Sequence, residues 1–346
     1  MHIAMSSAGL LAFAVVVAAA EPHQHEKSSD AAYSVSPAAL WLSDSSPVRG
    51  NATQHEAHQH GSGDAVDVGE APPTNAEIKR LWLRSGDDPS RAPAAVGEFC
   101  HAVLRVIDIH GHARVVPLVD AAGMYRADVA LPDMGFYNAY LARYTVGNNE
   151  LNVEVAKAEL LRGTCCQKGV DPRQEIPIRD SSEPFELVRD RLTEEKLFTH
   201  ISSGDKLAFT VLHDGHPTPG ARVTLITQAG WRKTIVSDRK GRVEFTLIRD
   251  SFPAWSHFYR QARQPFLLIA ELEVPESGAY SGVAFTTTHY RTTLPGKYYP
   301  SPRDYRSYAY GLSVVLGVTV FAGTAVYLYR RRRVKPFLEV RFSEGD

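Results

Sequence analysis

Along much of this chain apolar and polar residues alternate with a period of two. Tyr125, Ala127, Val129 and Leu131 alternate with Arg126, Asp128 and Ala130, and Leu151, Val153 and Val155 alternate with Asn152 and Glu154. That period belongs to strands with one face buried. His101–His112 is strand-like, Ala113–Val119 continues it after a glycine, and Phe136–Tyr144 is aromatic and strand-prone. Gly123, Pro132-Asp133-Met134-Gly135 and Asn148-Asn149 punctuate these runs as turns. Short strands at this spacing predict a small antiparallel sandwich over 98–162 rather than a βαβ fold. A second series follows: Leu207, Phe209 and Val211, then Val223 and Leu225, then Val243, Phe245 and Leu247, then Phe266 to Val274. Asp214-Gly215, Pro219-Gly220 and a hairpin turn at Asp238–Gly241 separate them, which predicts a second sandwich over 199–293.

The ends of the chain break this pattern. Gly311–Tyr329 carries no charge and is long enough to cross the hydrocarbon core as a helix. Tyr305, Tyr308 and Tyr310 precede it, Tyr327 and Tyr329 close it, and Arg330 to Arg333 with Lys335 follow. Aromatic belts and the positive-inside rule place the 330–346 tail in the cytoplasm and the body outside it. At the other end Leu10 to Val17 and Ala18-Ala19-Ala20 read as the apolar region and cleavage site of a signal peptide over 1–20. The setting predicted is a bacterial cytoplasmic (inner) membrane with the bulk of the chain in the periplasm. Between these features lie a His-rich, low-complexity, largely disordered neck (21–97) and a connector with a Cys pair and a charged helix (163–198). Leu294 to Pro302, rich in Pro and Tyr, opens a stiff linker (294–310). Two Trp-centred patches, Ala38–Leu42 and Ile78–Leu83, stand out in the neck as candidate contacts.

Charge adds little to this picture. Lys and Arg number 38 against 39 Asp and Glu, so no basic field suggests nucleic acid. There is no Gly-x-Ser-x-Gly elbow, no His-Glu-x-x-His, no phosphate-binding glycine loop and no dinucleotide fingerprint, so no enzymatic activity is expected.

Histidine is the residue type that suggests chemistry. His23-Gln24-His25 and His58-Gln59-His60, with His55 three residues ahead of the second pair, lie in the neck. Neutral imidazoles on a flexible chain are ligands for Cu(II), Ni(II) or Zn(II). Cleavage after Ala20 would make His23 the third residue, a chelating position that Pro22 weakens by removing one amide ligand. His110-Gly111-His112 places two imidazoles on one face of an extended strand. Cys100 beside His101, and Cys165-Cys166, offer thiolate ligands for copper or zinc. The preferred reading of these cysteines is instead a disulfide from Cys100 to Cys165 or Cys166, which would staple the first sandwich to the connector.

Two stretches carry a resemblance. "DGHPTPGARVTL" and "SDRKGRVEFTL", within Leu207–Leu247, resemble the Ig-like or transthyretin-like modules of bacterial periplasmic proteins, including a family associated with nickel and cobalt uptake. "GMYRADVALPDMGFYNAYL" resembles part of small periplasmic sandwiches in metal-handling proteins. The resemblance covers about a fifth of the chain, implies fold more than function and transfers no ligand set. The expected fold class is mainly β: two small antiparallel Ig-like β-sandwich domains plus one C-terminal transmembrane α-helix. The expected function is a periplasmic metal-binding or metal-delivery protein, with a Cu or Ni ion and no organic cofactor, beside a membrane transporter or metalloenzyme. The alternative is a non-catalytic accessory subunit of a membrane protein complex. Small residues on the span (Gly311, Gly317, Ala322, Gly323, Ala325) permit close helix packing.

Overall fold

The computed structural model describes residues 38–47, 76–99, 102–163, 179–180, 182–191, 200–250 and 263–333. In chain order the strands are β1 (Leu40–Ser43), β2 (Glu77–Ser85), β3 (Val103–Ile107), β4 (Ala113–Pro117), β5 (Val119–Asp120), β6 (Tyr125–Leu131), β7 (Gly135–Gly147) and β8 (Glu150–Arg162). They continue as β9 (Phe185–Arg189), β10 (Lys206–His213), β11 (His216–Pro217), β12 (Arg222–Thr227), β13 (Arg232–Val236) and β14 (Arg242–Thr246). The last are β15 (Gln264–Val274), β16 (Gly278–Tyr280), β17 (Val283–Phe285) and β18 (Thr287–Tyr298), ahead of helix α1 (Pro302–Arg333).

An eight-stranded sheet in the order β13-β12-β15-β18-β8-β7-β3-β4 runs through the whole body. Two smaller sheets pack on it: β1-β2-β6-β5, and β11-β10-β14 with β9 on β10. The first sheet closes a core of Leu42, Leu83, Val106, Val129, Leu141 and Leu160, the second a core of Phe185, Phe209, Val223, Phe245, Leu268 and Tyr298. This is the mainly β, two-sandwich architecture the alternation predicts. The sandwiches are nevertheless fused. Strand β8 pairs in parallel with β18 from Thr287↔Glu150 to Thr293↔Ala156, whereas the other strand pairs described are antiparallel. Register partners point to the same side of a sheet. Ala156, Ala158 and Leu160 of β8 face the first core, while Val153 of β8, with Tyr290 and Leu294 of β18, faces the second. The small sheets therefore cover opposite faces of the long one.

Four sequence expectations are corrected. The neck is not disordered at 38–47 and 76–97, because the two Trp-centred patches are strands that pair with each other, Leu40↔Ser85 to Ser43↔Trp82. Their Leu40, Leu42, Leu81 and Leu83 complete the first core, which a sandwich begun at residue 98 would leave open. Trp41 points the other way, onto Leu267 of the second sandwich, with the Arg84 guanidinium 5.2 Å from its ring. The signal, the remaining neck, and Cys100, Cys165 and Cys166 lie outside the described residues.

The linker expected at 294–310 starts later. Leu294 to Tyr298 belong to β18 and pair with Leu268 to Gln264. Pro295 is tolerated there because β18 has by then no partner on its β8 side. Within the connector, 185–189 form β9, paired with β10, and the charged helix expected at 190–196 falls largely outside the described residues.

The turn at Asp238–Gly241 is not a hairpin. It carries the chain from β13 in the long sheet to β14 in a small one. Asp238 Oδ1 accepts from the Lys240 and Arg242 amides at 2.8 and 2.9 Å, and Gly241 sits at φ 71°. A Cβ on Gly241 would lie 2.7 Å from the Val211 carbonyl oxygen and 2.8 Å from the Thr218 amide nitrogen. Gly241→Ala is therefore expected to cost about 2 kcal/mol or more, the left-handed penalty plus a backbone displacement. A denaturant midpoint equal to wild type would contradict this.

Helix α1 holds one stretch, 309–333, long and apolar enough to cross a membrane, and none of it is buried against the body. Three of its hydroxyls are satisfied within the helix: Ser313, Thr319 and Thr324 donate to carbonyls four residues back at 2.7–2.8 Å. Arg330 to Arg333 form its last turn.

Candidate functional site

Of the histidines put forward as ligands, His23, His25, His55, His58 and His60 lie outside the described residues. His110 and His112 are placed, though not on an extended strand. They sit in the turn between β3 and β4, where Asp108 Oδ1 accepts from the His110 and His112 amides at 2.8 and 2.9 Å and Gly111 adopts φ 81°. A carboxylate capping two amides and a glycine free to turn outweigh the strand propensity of this stretch. The outcome still suits the chemistry: the two imidazoles are exposed with ring centroids 5.8 Å apart, and Asp108 Oδ2 is 3.2 Å from His112 Nδ1. Among the described residues no group of three or more His, Cys, Asp or Glu is placed to hold a metal ion. The pair offers two ligands.

The most constrained chemistry lies where the sandwiches join. Lys157 of β8 is fully buried; its Nζ meets Glu186 Oε1 of β9 at 2.8 Å and the Leu187 carbonyl at 2.9 Å. Glu186 also accepts from the Tyr140 hydroxyl at 2.7 Å and from the Asp180 amide at 3.1 Å. Burial, and the Glu186 carboxylate beside it, push the Tyr140 hydroxyl well above the ordinary tyrosine range, so it stays a donor. Arg105 bridges Asp180 and Glu183 next to this network. These bonds dock β9 and the residues before it onto the back of β7 and β8.

On the opposite face of the long sheet five charges run straight across five strands. Arg143 of β7, Glu154 of β8, Arg291 of β18, Glu271 of β15 and Arg222 of β12 are successive register partners. Glu154 accepts from Arg143 Nε at 2.8 Å and from Arg291 at 3.3 Å; Glu271 accepts from Arg291 at 3.0 Å and from Arg222 at 3.1 Å. The alternation places Glu154 on the polar face of its strand. Glu154 is in fact buried, and only the parallel register of β18 on β8, which no local pattern announces, reveals the row.

The third feature is the exit toward α1. The Tyr299 amide donates to the Ile201 carbonyl and the Ser203 amide to the Tyr299 carbonyl, both at 2.8 Å, and the Ser301 amide to Ser203 Oγ at 2.7 Å. The His200 ring lies against that of Tyr299, tilted by 57° with centroids 4.5 Å apart.

No protein-family model and no curated protein sequence matches the chain. Among the solved structures that show likeness are the following three, each at 11% identity. A Ca2+-stabilized adhesin that helps an Antarctic bacterium reach out and bind ice covers 76% of this chain and 49% of its own, with a TM-score of 0.18. The BSP domain of a biofilm associated protein covers 63% and 27%, with a TM-score of 0.15. A two fibronectin type-III domain segment from chicken tenascin covers 64% and 98%, with a TM-score of 0.15. The chain thus spans about half the length of the first and about a quarter of the second. Likeness at this level carries no functional argument, and the two-sandwich assignment rests on the strand pairing itself.

Proposed function

We propose that this chain is a single-pass protein of a bacterial inner membrane that presents its β body to the periplasm as a non-catalytic accessory subunit of a membrane complex. The observation that carries this reading is the join between body and helix. Tyr299, Pro300 and Ser301 alone separate β18 from α1, and Tyr299 and Ser301 are bonded back onto Ile201 and Ser203. A mere tether needs slack and is usually rich in Gly and Ser. A strand that feeds a membrane helix without slack holds the body at one height above the bilayer, which favours docking against a neighbour. The Arg330–Arg333 cluster supports a cytoplasmic tail and hence the periplasmic side for the body. Purification of the full chain in mild detergent, followed by mass spectrometry, tests the proposal: a stoichiometric membrane partner is expected, and its loss when a Gly-Ser segment is inserted after Ser301. Migration as a lone monomer would sink it.

A second reading, capture and delivery of copper or nickel beside a transporter or metalloenzyme, is favoured by the facing imidazoles of His110 and His112 and by the resemblance of the β modules to metal-associated ones. Replacing both histidines by Ala is expected to remove one bound Cu(II) or Ni(II) per chain in calorimetric titration. Stability should be unchanged, since both rings are exposed. Unaltered stoichiometry would remove these two residues from the metal reading.

A further inference from the structure

Strand β7 keeps one edge open toward its C-terminal end. It pairs with β8 from Gly135↔Arg162 to Gly147↔Glu150, but with β3 only from Ile107↔Asn138 to Arg105↔Tyr140. From Ala142 to Gly147 its outer side meets no strand among the described residues, and Ala142, Tyr144, Thr145 and Gly147 are exposed.

The turn that closes the β7–β8 hairpin fixes which backbone groups face outward. Asn148 and Asn149 form a two-residue loop with φ of 54° and 65°, so Gly147 and Glu150 make the first bonded pair. Bonding to β8 then falls on Gly147, Thr145 and Arg143, and the N–H and C=O groups of Ala142, Tyr144 and Val146 point the other way. Their side chains share one face, where the Tyr144 ring stacks on Tyr280 at 5.6 Å. Other open edges of the body are blunted by charge or proline. Strand β4 carries Arg114 and Pro117, β13 carries Arg232 and Lys233, and β14 carries Arg242 and Glu244. The open part of β7 has one charge, Arg143, whose guanidinium is turned onto Glu154. An edge this unprotected invites aggregation unless something covers it.

Anchoring decides against a second copy as the cover. Two β7 edges paired antiparallel about a two-fold axis would send their α1 helices out of opposite ends of the joined sheet, and a join without slack cannot bring both into one bilayer. Charge narrows the rest. Burial first, then Glu183, Tyr280 and Asp214, raise the Tyr144 hydroxyl above the ordinary tyrosine range. Glu183 is held by Arg105, which leaves Asp214, 71% exposed, as the charge a ligand can reach. We propose that β7 takes up an added strand from the periplasmic part of the neighbouring subunit: an extended segment with apolar residues over Ala142, Tyr144 and Val146 and a Lys or Arg beside Asp214. This rests on the accessory-subunit reading. Val146 and Ala142 are level with Thr288 and Thr292 of β18, so the neighbour reaches roughly 25–35 Å beyond Tyr299 along the strands, away from α1.

The test uses the full chain purified with its partner in mild detergent, with hydrogen exchange compared between the complex and the chain stripped of its partner in stronger detergent. The amides of Ala142, Tyr144 and Val146 are expected to exchange at least tenfold more slowly in the complex, while those of Arg143 and Thr145, already bonded to β8, change little. Val146→Pro removes one outward N–H and leaves the bonds to β8, and Ala142→Lys places a charge on the edge. Both variants are expected to retain at least tenfold less partner. Ala142 is exposed, so its variant decides the matter should Val146→Pro fail to fold. Partner retention undiminished in Ala142→Lys, or the three amides unprotected in the complex, overturns strand addition and leaves the accessory reading standing. A wild-type chain without any partner overturns both.

Discussion

Replacing Lys157 by Met is expected to destabilise the body by about 3–5 kcal/mol, the cost of leaving a buried carboxylate without its cation. Glu186 is as buried as Lys157, and the 2.8 Å bond between them is its one contact with a full positive charge among the described residues. Met fills much of the volume of the Lys stem, so packing is largely kept and the electrostatic loss dominates. For a body of this size the thermal midpoint should fall by roughly 10 °C. The double variant Lys157→Met, Glu186→Leu should recover only part of that. The Tyr140 hydroxyl and the Asp180 amide both donate to Glu186 and would then be buried without an acceptor. A single variant within 1 kcal/mol of wild type would show that the pair is dispensable, and that β9 is held by its ladder on β10 alone.

The strands that the sequence reveals are those with one wet face. Tyr125–Leu131 reads as a strand because Ala127, Val129 and Leu131 are buried while Asp128 between them is not. In β7 the seven residues from Gly135 to Leu141 are all buried, so alternation is lost there and only aromatic content marks the strand. Strands β1 and β2 read only as isolated Trp-centred patches, for a different reason. Each patch is short, and each makes sense only when paired with the other across a long intervening segment. The same holds for function. The closeness of His110 and His112 is legible from their spacing, but the Asx turn that exposes them is not. The charge row and the Lys157–Glu186 pair depend on which distant strands lie side by side. Such register is set by global topology rather than by any local run of residues.

Arg291→Met is expected to cost about 2–4 kcal/mol and, more tellingly, to divide a single unfolding transition into two. Arg291 is 3% exposed and holds Glu154 on one side and Glu271 on the other. Removing it leaves Glu154, itself buried, with Arg143 as its remaining cation, so the loss falls short of a fully orphaned charge. Its position matters more than its magnitude. Among the described strands, β18 on β8 is the pairing that makes the two sandwiches one sheet, and the Glu154–Arg291 bond lies across that seam. Each half has its own core, so weakening the seam should free them to melt separately. Arg222→Gln serves as the control: it removes the outermost charge of the same row, 68% exposed, and should shift stability by no more than about 0.5 kcal/mol. Scanning calorimetry reads both effects. One sharp transition in Arg291→Met, at an unchanged midpoint, would mean that the sandwiches are coupled by the Trp41 wedge and the shared β8 rather than by the charges. A split transition would identify the row as what makes the body rigid enough for a strand-to-helix join without slack to hold it at a fixed height.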